Sequence, residues 1–269
     1  MLKRTITSIG IIIVTAGFLA LRLVDNRIFD ILLLVISLIS AYEFHRAVGE
    51  KTSKAQEILT YAFSVLSFVS AVFFTKWLIA VIAVFIAVNL LLVIIGDGKS
   101  LSSVAVSVLG GFYPSLFILL LHFVNVDTHY SNLILVFAVT PFADAGAYLI
   151  GSAIGGKKLC PKISPHKTVS GAIGGLLGGV IASVAVYFIF GHTIWNTGLD
   201  LAVYMVIGVL ISAITEIGDL VESKIKRELG IKDSGNILPG HGGMLDRIDG
   251  LSFASIASYI IFCLIIPIL

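Results

Sequence analysis

The segment from Asp233 to Asp249, DSGNILPGHGGMLDRID, places two carboxylates, Asp246 and Asp249, three residues apart just after Gly242-Gly243. If a helix begins there, that spacing puts both acids on one face. Bare glycine backbone lets N–H groups approach an anion. Carboxylates hold a hard, oxygen-loving cation such as Mg²⁺, and lysine or arginine neutralises phosphate oxygens. Upstream, 215-TEIGDLVESKIKR-227 supplies Glu216, Asp219 and Glu222. Asp219, Ser223 and Lys226 follow at spacings of four and then three, which stacks them on one helical face. Asp144 lies in 141-PFADAGAYLIG-151, and the stretch 155-GGKKLCPKISPHKTVSG-171 adds four lysines and His166, with Lys167 beside Ser164, Pro165 and Thr168. Together these residue types are an inventory for handling phosphate with a divalent metal.

What must position them is an apolar chain. Its 269 residues are 58% hydrophobic and 13% charged, and the mean hydropathy is +1.06. A soluble globular domain carries about 25% charged residues, so most of this chain must face lipid. The reading is an all-α, polytopic integral membrane protein. A spanning helix needs about 20 apolar residues. Nine runs qualify: 6–22, 28–45, 57–75, 77–96, 102–123, 131–153, 170–191, 199–223 and 251–268, with only Lys76 dividing the third from the fourth. The first run is read as a retained helix, because no small-residue cleavage site follows Lys3 and Arg4.

Placing the N-terminus in the cytoplasm leaves only Arg22, Arg27 and Lys76, of 18 Lys+Arg, on the outer side. That asymmetry is what the positive-inside rule requires. It puts both polar loops, 155–171 and 224–250, on the cytoplasmic face of a cell (plasma) membrane. The net charge of +2 excludes nucleic acid as an expected partner, and Cys160 and Cys263 have neither disulfide nor metal-ligand spacing. The stretch 151-GSAIGGKK-158 nearly matches a phosphate-binding P-loop. It is set aside because Lys158 stands where Ser or Thr should hold magnesium, and a membrane helix precedes it instead of a strand. The run 171-GAIGGLLGGV-180 repeats glycine every fourth residue, which favours close helix packing.

Acids inside membrane helices are expensive and mark functional sites. Asp144 and Asp219, flanked by small residues, are read in that way. Glu43 abuts Arg46 and is read as a carboxylate that snorkels and pairs with it, whereas Asp30 and Glu222 stay open between snorkelling and function. His45, His122, His129 and His192 have no partner in sequence and receive no role.

The run 223-SKIKRELGIKDSGNILPGHGGMLDRID-249 closely resembles the signature of the phosphatidate cytidylyltransferase (CDP-diacylglycerol synthase) family. Asp144 in D-x-G-A-Y, Ser164 to Thr168 in S-P-x-K-T, and Gly218-Asp219 resemble the family's flanking pieces. The chain is read as one polytopic domain. Residues 1–130 resemble the family loosely, and residues 131–269 form a catalytic half with the signature at 223–249.

The resemblance implies transfer of the cytidylyl group of CTP to phosphatidic acid, giving CDP-diacylglycerol and pyrophosphate with a divalent metal. On this reading Asp219 and Asp246 bind Mg²⁺, with Asp249 or Asp144 completing the shell or holding a second cation. Lys226, Arg227, Arg247 and Lys167, with Ser223, meet the triphosphate or the phosphatidate headgroup, and Gly242-Gly243 donate backbone N–H groups. His241 either orients a phosphate or satisfies the turn. The partners implied are CTP, phosphatidic acid and the bilayer, and a homo-oligomer is compatible with them. Two alternatives are a CTP-dependent polyprenol or phytol kinase and an ion-coupled transporter.

Overall fold

A computed structural model describes residues 2–96, 100–190, 201–240 and 242–268. Three sequence expectations lie outside these residues: His241, the inner Lys99, and the outer break at 192–198 with His192.

The expected spans are helices. In order they are α1 (Leu2–Leu21), α2 (Asn26–Val48), α3 (Lys54–Phe73), α4 (Leu78–Ile94), α5 (Leu101–Gly111), α6 (Phe117–Asp127), α7 (Tyr130–Ile154), α8 (Val169–Phe190), α9 (Leu201–Glu228) and α10 (Leu245–Tyr259). α5 runs into α6 through a π-turn at Phe112–Leu116, so the two make one span, Leu101–Asp127. Pro114, which has no N–H to give, sits in that wider turn. Among the described residues eight helices are long and apolar enough to cross a membrane; α1 contributes a shorter apolar stretch, Ile9–Leu21. The narrow division at Lys76 is a 3-10 turn, Thr75–Trp77, between α3 and α4.

Local sequence sets the helix ends. Asp25 caps α2 by accepting the Arg27 N–H at 2.8 Å. Ser53 and Gln56 form a reciprocal capping box on α3. The His129 ring accepts the Ser131 N–H at the start of α7. One expectation changes: the loop after α7 contains a two-stranded antiparallel hairpin, β1 (Lys158–Cys160) and β2 (Ser164–Thr168). It follows Gly155, whose φ of +65° ends the helix.

The chain divides into two compact units. The first holds Met1–His122 and Ile231–Ile248; the second holds Phe123–Gly230 and Asp249–Leu269. The signature segment is thereby shared between them, its loop belonging with the N-terminal helices.

In the first unit α3 meets α5 and the π-turn through a polar ladder spaced one helical turn apart. Gln56 donates to Ser103 at 3.0 Å, Thr60 meets Ser107 at 3.4 Å, and Ser64 meets Ser115 at 2.7 Å. Hydrogen bonds of this kind hold helices together where lipid gives no hydrophobic drive. Phe63 stacks on Phe85 with centroids 4.2 Å apart. Two histidines expected to lack partners have them: His122 Nδ1 lies 2.9 Å from Asp30 Oδ1, and His45 Nδ1 lies 3.2 Å from Thr52 Oγ1.

In the second unit α8 lies against both α7 and α9, and its glycines make this possible. A Cβ at Gly178 would strike the Phe142 carbonyl of α7, and one at Gly174 would meet the Gly146 carbonyl at 2.5 Å. On the other side a Cβ at Gly179 would meet the Gly208 carbonyl of α9 at 2.6 Å. The small-residue repeat therefore serves two interfaces on one helix.

Gly178→Ala should destabilise the protein by about 1–3 kcal/mol through overpacking. Gly17→Ala, at a position with nothing within 4 Å of an added Cβ, should cost nothing. Thermal unfolding in detergent, followed by loss of the monodisperse species, compares the two.

Candidate active site

In the second unit, α9 carries acids and bases on successive turns of its C-terminal end. Asp219 is the centre. Its Oδ2 lies 2.5 Å from Lys167 Nζ on β2, and its Oδ1 accepts the Ser223 hydroxyl at 3.3 Å. The expected shared face of Asp219 and Ser223 is thus realised. Lys226, expected to meet substrate, forms an ion pair with the buried Glu222 one turn back. Glu222 is 1% exposed, so it does not snorkel. Arg227 Nε donates to the Ile163 carbonyl at 3.5 Å, joining the end of α9 to the hairpin turn. Lys167 and Arg227 therefore connect the hairpin to α9.

α7 and α10 bring two more carboxylates to this centre. Asp249 is within electrostatic range of Asp219, Asp144 and Lys226. Its Oδ1 accepts the Gly250 N–H at 2.7 Å. α10 comes this close to α9 because Gly218 has no side chain: a Cβ there would meet the Asp249 carbonyl at 2.6 Å. Gly250 likewise leaves room for Thr215 of α9. Glu216 belongs to the same electrostatic group, with Lys167, Asp144 and Asp219. Its carboxylate fills the space that a Cβ at Gly175 would need. The sequence places Glu216 beside Asp219 but gives it no role; the signal that reveals one is the glycine opposite it on α8.

In the first unit, residues 231–240 and 242–244 belong to a loop shaped by one carboxylate. Asp246, 7% exposed, accepts the Ser234 N–H at 3.0 Å and the Gly243 N–H at 2.8 Å, both on Oδ2. Its Oδ1 lies 3.2 Å from the same Ser234 N–H. The Gly243 N–H, expected to face substrate, is directed to Asp246 in this structure. The loop closes on itself where the Leu238 N–H donates to the Gly242 carbonyl at 3.0 Å, and the Thr7 hydroxyl of α1 donates to the Pro239 carbonyl at 2.9 Å. Arg247 is exposed. Glu43, expected to pair with Arg46 at the surface, is 1% exposed and accepts the Leu245 N–H at 2.9 Å.

Among the described residues no three His, Cys, Asp or Glu side chains converge closely enough to enclose a metal ion. The donor chemistry nevertheless suits Mg²⁺, since Asp144, Asp219 and Asp249 offer hard oxygens in one electrostatic group. Mg²⁺ is usually held by one or two carboxylates together with substrate phosphates, so a preformed cage is not required.

Eight membrane-spanning helices among the described residues, with carboxylates and lysines gathered around Asp219 in the second unit, define a polytopic integral membrane protein. The model of the cytidylyltransferase family matches residues 2–265, and the chain belongs to that family. It is similar to the phosphatidate cytidylyltransferase of Brucella suis biovar 1 (strain 1330), with 40% identity over 153 residues, 56% of this chain and 54% of that protein. The phosphatidate cytidylyltransferase of Haemophilus influenzae is 45% identical over 125 residues, 45% of this chain and 42% of that protein. That of Staphylococcus aureus (strain COL) is 43% identical over 127 residues, 46% of this chain and 45% of that protein. The matched part spans about half the length of these relatives.

If Lys167 fastens the hairpin to α9, Lys167→Gln should speed limited tryptic cleavage after Lys157, Lys158 and Lys162 by about two- to fivefold, the range for a partly exposed ion pair. Arg227→Lys, which keeps the charge, should leave the cleavage rate near wild type.

Proposed function

We propose that the chain transfers the cytidylyl group of CTP to phosphatidic acid, giving CDP-diacylglycerol and pyrophosphate, at the cytoplasmic face of the membrane. The observation that carries this reading is the alternation of carboxylates and cations around Asp219, built from α7, β2, α9 and α10. The names of the relatives support the choice of substrates, and the basic loops 155–171 and 224–250 support the cytoplasmic orientation.

The chemistry brings two anions together. An oxygen of the phosphatidate monoester attacks the α-phosphorus of CTP, the bond from that phosphorus to the β-phosphate bridging oxygen breaks, and pyrophosphate leaves. Phosphatidate is already ionised near neutral pH, so no general base is needed. Catalysis of this kind rests on positioning and charge neutralisation. Lys167 and Lys226, now paired with Asp219 and Glu222, would exchange those partners for phosphate oxygens, and Arg227 and Arg247 would add charge at the ends of α9 and the loop. Ser223 would hold Asp219 in orientation.

Asp219, with Asp144 and Asp249, would supply oxygen donors to Mg²⁺, which when bound neutralises charge on the phosphates. Asp246, expected from the sequence to be a Mg²⁺ ligand, accepts the Ser234 and Gly243 N–H groups here. It would act through the loop it shapes, fixing the Gly242-Gly243 backbone and the direction of Arg247. A reactant anchored in the bilayer and a water-soluble polyanion can both reach a site at the inner end of membrane helices.

Purified protein in detergent, given phosphatidate, Mg²⁺ and CTP labelled at the α-phosphate, should pass the label to lipid. Asp219→Ala and Asp246→Ala should each lower that rate by about a hundredfold or more, the scale for removing a pre-organised electrostatic group. Label that stays soluble while the lipid gains a phosphate would instead indicate γ-phosphoryl transfer and overturn the reading.

A further inference from the structure

Glu43 of α2 is a buried acid with an unusual set of neighbours, all in the first unit. Its Oε2 accepts the Leu245 N–H at 2.9 Å, at the first residue of α10. An N–H at a helix start has no partner within its helix, and a carboxylate there also meets the positive end of the helix dipole. The same carboxylate lies directly against two glycines of the loop. A Cβ at Gly243 would meet Glu43 Oε2 at 2.5 Å, and a Cβ at Gly235 would meet Glu43 Cδ at 2.7 Å. Real Cβ atoms do not approach heavy atoms so closely, so any side chain at either position would displace the acid or the loop. Gly235 has no positive φ, so conformational freedom is not what requires glycine there. Space for Glu43 is.

We propose that Glu43 is a positioning residue for the loop 231–244: it fixes that loop and the start of α10 from beneath, and Gly235 and Gly243 are glycines because its carboxylate occupies their side-chain space. Asp246 and Glu43 both organise the loop at Gly243, since its N–H donates to Asp246 while Glu43 occupies the space its side chain would need. The N-terminal helices thus take part in ordering the signature loop. The kinetic consequence rests on the cytidylyl-transfer reading: loss of Glu43 leaves the loop ordered for only part of the time. Substrate binding then draws on a smaller competent fraction. The KM of a substrate held by the loop rises, and saturating substrate restores kcat.

Two readouts on the same detergent-solubilised samples test this. Amide hydrogen exchange over residues 231–245 needs no turnover, so it judges Glu43 even if the chain makes no CDP-diacylglycerol. Glu43→Ala should speed exchange at Gly243 and Leu245 by about tenfold to a hundredfold, the scale for losing a hydrogen bond to a charged group. It should raise the KM for CTP or phosphatidate by a smaller factor, about twofold or more, with kcat within about threefold of wild type. KM follows the closed fraction of the loop, whereas exchange follows the open one. Glu43→Gln, which keeps an acceptor for the Leu245 N–H, should recover most of both.

Gly235→Ala, which leaves the acid in place but crowds it, should reproduce the faster exchange. Combined with Glu43→Ala it should add nothing further, because the space is then free. Unchanged exchange in Glu43→Ala, additive effects of the two substitutions, or a fall in kcat with both KM values unchanged would each overturn the proposal.

Discussion

A carboxylate held away from water must find a cation or an N–H group, and this requirement organises the polar parts of the protein. The cost of leaving such a group unpaired is several kcal/mol. Five of the acids have a partner of this kind. Asp219 has Lys167, Glu222 has Lys226, Asp30 has His122, and Glu43 and Asp246 take backbone N–H groups. The placement of the hairpin follows from the first of these pairs. β2 contributes little buried surface, yet Lys167 gives it a fixed point on α9 beside the acids.

The same pairs explain how largely apolar helices can keep charged groups in place at their polar ends. Cations already matched to carboxylates are kept in place without substrate, and a more highly charged anion can compete for them. Three glycines make room for an acid side chain: Gly175 admits Glu216, and Gly235 and Gly243 admit Glu43, whereas Gly218 admits the Asp249 backbone. Acid and glycine act as matched parts, one filling the volume that the other leaves.

The spans were legible because continuous apolar runs broken by Asp25, Ser53 or Lys76 leave few alternatives, and the helices fall within a few residues of those runs. The grouping of Asp219 with Ser223 was legible too, because helical periodicity is a local property. The partners of Glu43 and His122 were not. Leu245 is 202 positions from Glu43, and no spacing rule links residues so far apart. Arg46, nearer in sequence, suggested a surface pair, whereas Glu43 is buried. The hairpin was hidden as well, since Lys158–Cys160 and Ser164–Thr168 are too short and too polar to show strand alternation. Helical packing at the glycine run was foreseen, but its division between two neighbours depends on where α7 and α9 lie.

α8 shows what that division imposes on evolution. Gly174 and Gly178 rest on α7 and Gly179 on α9, whereas Ile173, Leu177 and Ile181 point away, 55%, 50% and 60% exposed. Tolerance to change along this helix should therefore rise and fall with every turn. The outward stripe can exchange one oily residue for another almost freely, while Gly174, Gly178 and Gly179 admit nothing larger than hydrogen. Drift in this part of the chain is channelled onto the stripe that meets lipid, and the spacing of α7 from α9 is preserved.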